Sequence, residues 1–278
     1  MTSLGENASR ARFDVEGTSG KTVELSWFAM TDVGKRRETN QDSLVAVPPI
    51  FSVADGMGGH SLGEVASGAV VRSLSNTAQT GSASRENIIE ALSEAVDAIE
   101  LDAGETDLGA GTTVTGVYLT QAEGEPIWEC FNIGDSRVYQ WFRGALTQIT
   151  VDHSVVQHLI DTGQISEDDA EFHPHANVIT RAVGFNEEPV PDFTQLALVP
   201  GQRILICSDG LTKEITHQGI AHFLAQSDSA EGAAQTLVDQ AVSNAGRDNV
   251  AVIVIDVHAV GDDKDTSELQ SLPNTAEK

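Results

Sequence analysis

Short apolar runs, most of them closed by Asp, Gly or Pro, alternate along this chain with longer stretches of helical period. The runs are Leu44–Val47, Ile50–Ala54, Val114–Thr120, Ile127–Ile133, Val138–Phe142, Arg203–Ser208 and Val250–Ile255. Their length and their Val, Ile and Phe content predict strands. Pro48-Pro49 turns the first of them back on the second, which predicts a hairpin. Helical spacing appears at Leu62, Val65, Ala66, Ala69, Val70 and Leu74, again at Ile89, Leu92, Val96 and Ile99, and finally at Ala230, Ala233, Ala234, Leu237, Val238 and Ala241. Each stripe predicts a helix with one face on a core, and none implies a cofactor. Runs of this kind alone do not separate a layered α+β sandwich from a doubly wound sheet.

The chemistry sits where strands end. Ile50–Ala54 runs into Asp55-Gly56, followed by Met57, Gly58, Gly59 and His60. A free carboxylate beside a bare Gly56 carbonyl suits a hard divalent cation, which takes oxygen ligands. Asp42 lies two residues before Leu44–Val47 opens, and in an antiparallel hairpin the start of one strand lies beside the end of its partner. Asp42 and Asp55 should therefore meet. Asp209-Gly210 closes Arg203–Ser208 and Asp248-Asn249 opens Val250–Ile255, so antiparallel pairing of those runs brings this second pair together. Asp135 falls between Ile127–Ile133 and Val138–Phe142. Clustered carboxylates repel one another unless protonated or bound to cations. A metal resolves that conflict more naturally than several displaced protons.

Arg37-x-x-Asn40-Gln41-Asp42, Ala54 to His60, Gly111-Thr112-Thr113, Ile133 to Arg137, Ser208-Asp209-Gly210 and Asp248-Asn249 follow one another in order. This series resembles the motifs of the metal-dependent serine/threonine protein phosphatases of the 2C type, in their bacterial form, from about Glu24 to Val257. The resemblance implies an α+β fold, a four-layer α-β-β-α sandwich of two antiparallel sheets flanked by helices. It implies a centre of two Mn²⁺ or Mg²⁺ ions held by Asp55, Asp209, Asp248 and the Gly56 carbonyl, with Asp42 supporting the second ion through water. Asp135 and Asp209 match a third, weaker metal site, and Arg37 matches the arginine that grips the substrate phosphate. The implied reaction is in-line attack on phosphoserine or phosphothreonine by a hydroxide that bridges the metals.

The planar fork of Arg37 suits two phosphate oxygens, and oxygen-only ligation favours Mg²⁺ or Mn²⁺ over zinc. His60 is the candidate general acid. Eukaryotic relatives carry a histidine directly after Asp-Gly, where this chain has Met57, so a purely surface role for His60 stays open. The other histidines, His153, His158, His173 and His175 among them, lack cysteine partners at metal-binding spacing. Residues 152–183 resemble the family's mobile flap beside the channel.

Domain organisation is read as a disordered segment over 1–22, a catalytic domain over 23–258 and a disordered acidic tail over 259–278. No run approaches the roughly twenty apolar residues of a membrane span, and the N-terminus lacks a signal-peptide core. Cys130 and Cys207, both in strand-like runs, fit a reducing compartment, so the expected location is cytoplasmic and the expected state monomeric. The 42 acidic and 16 basic residues give a net charge of −26. That balance argues against a nucleic-acid partner and so against a metallonuclease built on the same carboxylates. The alternatives are a non-catalytic pseudophosphatase binding module, against which every matched ligand position is intact, and a phosphatase dedicated to one regulator of transcription. The reading is an active phosphatase of phosphoproteins, opposing serine/threonine protein kinases.

Overall fold

A strand with apolar side chains on both faces must be covered twice, and Val250–Ile255 is such a strand. Its odd-numbered Ala251, Ile253 and Ile255 enter one buried cluster, and its even-numbered Val250, Val252 and Val254 enter another. Arg203–Cys207 behaves likewise, with Ile204 and Ile206 on one side and Leu205 and Cys207 on the other. Successive strand side chains point to opposite faces, so a continuous apolar run here means a sheet buried between two layers.

The computed structural model describes residues 1–58, 62–103, 109–170, 172–185 and 188–262. Its elements are β1 (Ser3–Gly5), β2 (Ala8–Asp14), β3 (Lys21–Asp32), β4 (Asp42–Val47), β5 (Ile50–Met57), α1 (Leu62–Ala78), α2 (Arg85–Ala103), β6 (Gly111–Thr112), β7 (Val114–Ala122), β8 (Glu125–Ile133), β9 (Arg137–Phe142) and β10 (Ala145–Gln148). They continue with α3 (Val155–Asp161), α4 (Glu167–Ala170), β11 (Val183–Gly184), β12 (Asp192–Ala197), β13 (Arg203–Cys207), α5 (Asp209–Thr212), α6 (His217–Gln226), α7 (Ala230–Asn244) and β14 (Val250–Asp262). One sheet runs β1-β4-β5-β7-β8-β12, with β6 and β11 joined to its β5 end, and the other runs β10-β9-β13-β14-β3-β2. All pairings are antiparallel except β1 with β4.

Three apolar layers hold four layers of structure. Between the sheets lie Leu25, Leu44, Phe51, Val53, Trp128 and Ile253 with their neighbours. The rings of Phe13, Trp27, Phe51 and Trp128 follow one another there at centroid separations of 5.9, 5.4 and 6.2 Å. α1 and α2 cover the first sheet through Val70, Leu74, Ile88 and Leu92, and α5, α6 and α7 cover the second through Leu211, Ile220, Leu237 and Val238. This is the sandwich that the resemblance implies.

Two expectations need correction. Residues 1–22, expected to be disordered, pair with the edges of both sheets. Leu44 N–H donates to Thr2 O at 2.9 Å, Arg12 faces Glu24, and the Trp27 indole donates to Glu6 O at 2.8 Å. An exposed sheet edge presents unpaired N–H and C=O groups that accept a polar strand, and in Arg10–Asp14 every second residue, Ala11 and Phe13, packs inward. At the other end β14 extends to Asp262, opposite Lys21, so residues 259–262, expected to open a disordered tail, belong to the sheet; residues 263–278 lie outside the described residues.

One position of the helical stripe predicted in α2, Ile89, is also misplaced, while Leu92, Val96 and Ile99 pack on the core as expected. Ile88, Ala91, Leu92, Ala95 and Ile99 are buried, whereas Ile89 is 40% exposed. The adjacent Ile88-Ile89 pair fits either phase, and the small Ala91 and Ala95 decide it. Ile88→Ala should accordingly cost about 2–5 kcal/mol, as large-to-small core changes do, and Ile89→Ala under about 1 kcal/mol. Urea denaturation reads both, and equal losses would put the phase of α2 in error.

Candidate metal centre

The alternation that builds the inter-sheet core also delivers the carboxylates. Leu44 and Ala46 of β4 point between the sheets, so Asp42, two residues earlier, points there too. Phe51 and Val53 of β5 do the same for Asp55, and Asp42 and Asp55 are register partners. Cys207 of β13 pairs with Val252 of β14, which leaves Asp209 and Asp248 at the same end. Asp135 lies in the crossover from β8 in one sheet to β9 in the other. Both sequence-derived pairs therefore meet as expected.

Backbone contacts fix these positions. A Cβ on Gly56 would come within 2.1 Å of Gly63 O, and one on Gly210 within 1.9 Å of Asn249 O. Each glycine lets one chain segment lie directly on another where the carboxylates converge. Thr113 N–H and Thr112 Oγ1 both donate to Asp55 O at 2.8 Å, and Asp55 N–H donates to Thr113 Oγ1 at 3.1 Å. The Gly111-Thr112-Thr113 motif is architectural, holding the stretch of β5 that carries Asp55.

Asp42 is fully buried. Its Oδ2 accepts from Ser208 Oγ at 2.8 Å, while Asp42 Oδ1 and Asp209 Oδ1 have no hydrogen-bond partner among the described residues. Burial, with the charges of Asp209 and Asp248 adding to it, pushes the Asp42 carboxyl up to about 7. Burial and the charge of Asp42 raise Asp55 well above the ordinary carboxylate range. Asp135 is pushed up to about 7 by burial and by Asp209.

Two cations border the cluster. Arg37 Nη2 lies 2.8 Å from Asp248 Oδ1 and donates to Oδ2 at 2.9 Å. Lys213 Nζ pairs with Asp209 and reaches Asp248 Oδ2 at 3.4 Å. Among the described residues no three His, Cys, Asp or Glu side chains stand in a ready-made metal cage; Arg37 and Lys213 engage Asp248 and Asp209 instead. The donor set nonetheless fits a hard divalent cation: it is oxygen only, crowded with like charge, and carries unpartnered buried oxygens.

Several residues that shape the site carried no catalytic or metal-binding role in the sequence reading. The Asn249 amide donates to Val33 O at 2.9 Å and Thr39 O at 3.0 Å and accepts from Gln41 N–H at 2.9 Å, pinning the Arg37 loop to β14. Arg137 donates three hydrogen bonds to Asp152, at 2.7, 2.9 and 3.0 Å. His153, given no special role from the sequence, is buried; its Nδ1 accepts from Gly134 N–H at 3.2 Å, so Nε2 carries the proton and faces Asp192 Oδ2 at 3.0 Å. The start of the expected flap thus anchors the loop that carries Asp135. Ser154 caps α3 by accepting from Gln157 N–H. His60 lies outside the described residues.

Residues 35–244 match the Protein phosphatase 2C family. The chain belongs to that family. It is 37% identical over 243 residues to the serine/threonine protein phosphatase PstP of Mycobacterium tuberculosis, an alignment that covers 85% of this chain and 46% of that relative. The chain thus spans about half the length of the first curated relatives that it matches. Against the serine/threonine phosphatase stp of Listeria innocua the identity is 32% over 250 residues, covering 85% and 98% respectively. The crystal structure of the M. tuberculosis phosphatase superposes with a TM-score of 0.77 at 35% identity, over 84% of this chain and 99% of that one. A PstP catalytic domain in complex with two manganese ions gives a TM-score of 0.74 at 33% identity, over 84% and 99%. The family is metal-dependent, and its named members here are serine/threonine protein phosphatases.

For this 2C-type chain the raised carboxyl of Asp42 sets a direction in pH. Between an unfolded pKa near 3.9 and a folded value of about 7, the native state keeps a proton that the unfolded chain has released. Stability from this group is therefore complete below the unfolded pKa and is lost as pH rises towards 7. In metal-free buffer the urea midpoint should fall between about pH 4.5 and pH 7.5, and Asp42→Asn should flatten the fall. An unchanged slope in the variant would remove Asp42 as its source.

Proposed function

We propose that this chain is a metal-dependent protein serine/threonine phosphatase that hydrolyses phosphoserine and phosphothreonine in proteins. The observation that carries the reading is the convergence of Asp42, Asp55, Asp135, Asp209 and Asp248 at one end of the sandwich, with buried oxygens on Asp42 and Asp209 left unpartnered. Intact acids at all these positions favour catalysis over a pseudophosphatase module. Asp55, Asp209, Asp248 and the Gly56 carbonyl would hold two Mn²⁺ or Mg²⁺ ions, with Asp42 acting through a water. Such ions, when bound, supply Lewis-acid stabilisation of phosphate charge and a nucleophile from water near neutral pH.

The chain's own groups do the rest. Half-exposed Arg37 stands at the rim on Asp248, where its planar fork can turn to two phosphate oxygens once the carboxylate charge is neutralised. Asn249 keeps the Arg37 loop in register with Asp248. Asp42 holds an acceptor oxygen towards the centre, its other oxygen being fixed by Ser208. The proton for the leaving serine or threonine oxygen is assigned to His60, on its place in the chain after Asp55-Gly56.

The substrates in this reading are phosphoproteins, including serine/threonine protein kinases and their targets, met by a monomer in the cytoplasm. Among the described residues no helix is long and apolar enough to cross a membrane. The net charge of −26 favours basic segments around the phosphosite.

Purified protein should release phosphate from a phosphothreonine peptide with Mn²⁺ or Mg²⁺ and not with EDTA. Asp209→Asn should lower kcat/KM by on the order of 100-fold or more. Arg37→Lys should raise KM more than it lowers kcat, because a point charge keeps the attraction and loses the fork. Native protein that releases no phosphate with either metal would move the binding-module reading to the front.

A further inference from the structure

Phe185 holds a backbone conformation that its side chain alone would not choose. Its φ is 57°, and Gly184 before it has a φ of 104°. A bulky residue in the left-handed region is an outlier; it persists only where the surroundings over-determine it, and such residues gather at functional sites. Here β11 fixes it: Gly184 pairs with Gly111, and Phe185 N–H donates to Ala110 O at 3.1 Å. The ring then lies on bare backbone. A Cβ on Gly111 would come within 2.1 Å of it, and one on Gly109 within 2.8 Å. Yet the ring stands outside the three apolar layers, and Phe185 remains 41% exposed.

The strand pairing says which face of the sheet the ring covers. Gly111 is the register partner of Met57, two residues past Asp55 on β5, so Asp55, Met57 and the side-chain position of Gly111 share one face. Gly56, between them, points the other way, towards Gly63 of α1. Phe185 fills the side-chain position of Gly111, so its ring stands on the face that carries Asp55. Strand spacings put Gly111 about 8 Å from Asp55, a reach of two or three residues of extended chain. We propose that Phe185 is a specificity-determining residue, an aromatic platform that takes an apolar side chain of the substrate within three residues of the phosphorylated serine or threonine. The platform is a ring on Gly109, Ala110 and Gly111 and brings no charge of its own, so burial of apolar surface is the attraction. The acidic surface draws basic segments from a distance, and the ring reads one neighbour of the phosphosite at contact. The inference deepens the phosphatase reading above and rests on it.

Matched phosphothreonine peptides test it, with the full chain and Mn²⁺. Each is alanine around the phosphosite, with a single leucine or arginine at one of the three positions on either side. The parent chain should favour leucine over alanine at one or two of these positions by about 10-fold in kcat/KM, chiefly through KM. Phe185→Asn, which removes the ring and tolerates the left-handed backbone, should bring that ratio to about 1, and Phe185→Tyr should keep it. Phe185→Gly serves in place of the asparagine variant if circular dichroism shows that the latter is not folded. A parent without a leucine preference overturns the inference, and so does a preference that survives in Phe185→Asn. Arginine preferred to leucine in the parent, and not in Phe185→Asn, overturns it too, since the ring would then act through its π face on a cation. Phosphate released from no peptide, nor from a small aryl phosphate, sinks the phosphatase reading and this inference with it, a result distinct from hydrolysis without preference.

Discussion

Everything at the functional end of this molecule answers to the repulsion among buried carboxylates. At an effective dielectric of 20, two unit charges 4 Å apart interact by about 4 kcal/mol, and here Asp42, Asp55, Asp135, Asp209 and Asp248 crowd one end of the sandwich. The pushed-up carboxyls of Asp42, Asp55 and Asp135 express that conflict as retained protons. Arg37 and Lys213 express it as ion pairs. A divalent cation is the remaining way to relieve it, and the only one that adds reactivity.

Such a cluster can exist only on a scaffold that does not yield to it. The apolar layers sit directly behind the acids, on the same strands and in the same alternation that points Asp42 and Asp55 inward. Phe51 and Val53 are fully buried in the strand that carries Asp55, and Ile204 and Ile206 in the one that ends before Asp209. Burying each such side chain is worth roughly 1.5–3 kcal/mol, and moving an acid outward would drag its strand out of register. Packing and electrostatics are coupled through the period of two along each strand.

That coupling explains what could be read from the chain alone. The Asp42–Asp55 pairing follows from a hairpin whose turn, Pro48-Pro49, leaves little choice of register, and the Asp209–Asp248 pairing follows from two adjacent apolar strands. Partners far apart in sequence left no local trace. Asn249 bonds to Val33 and Thr39, more than two hundred residues away, and Gly134 rests on His153 because a crossover between sheets brings them together. Lys213 was missed for another reason: a lysine one turn after an aspartate is an ordinary helix pair, and only the position of Asp248 makes it more. The N-terminal strands escaped notice because an edge strand needs few apolar residues to pair, and the adjacent Ile88-Ile89 left open which of the two faces the core.

The same electrostatics separates a catalyst from a scaffold that merely keeps its shape. Without a divalent ion, the described cluster meets five acids with two bordering cations, and its buried carboxyls lower stability near neutral pH. Replacing acids by neutral side chains would relieve a binding module of that cost and leave its apolar layers untouched. Keeping all five is favourable to the fold only when cations bind, because binding to the native state adds stability by mass action. The arrangement is therefore tuned to the loaded state. In that state the oxygens that repel one another would serve as ligands, and Arg37, now paired with Asp248, would be free to turn towards an anion.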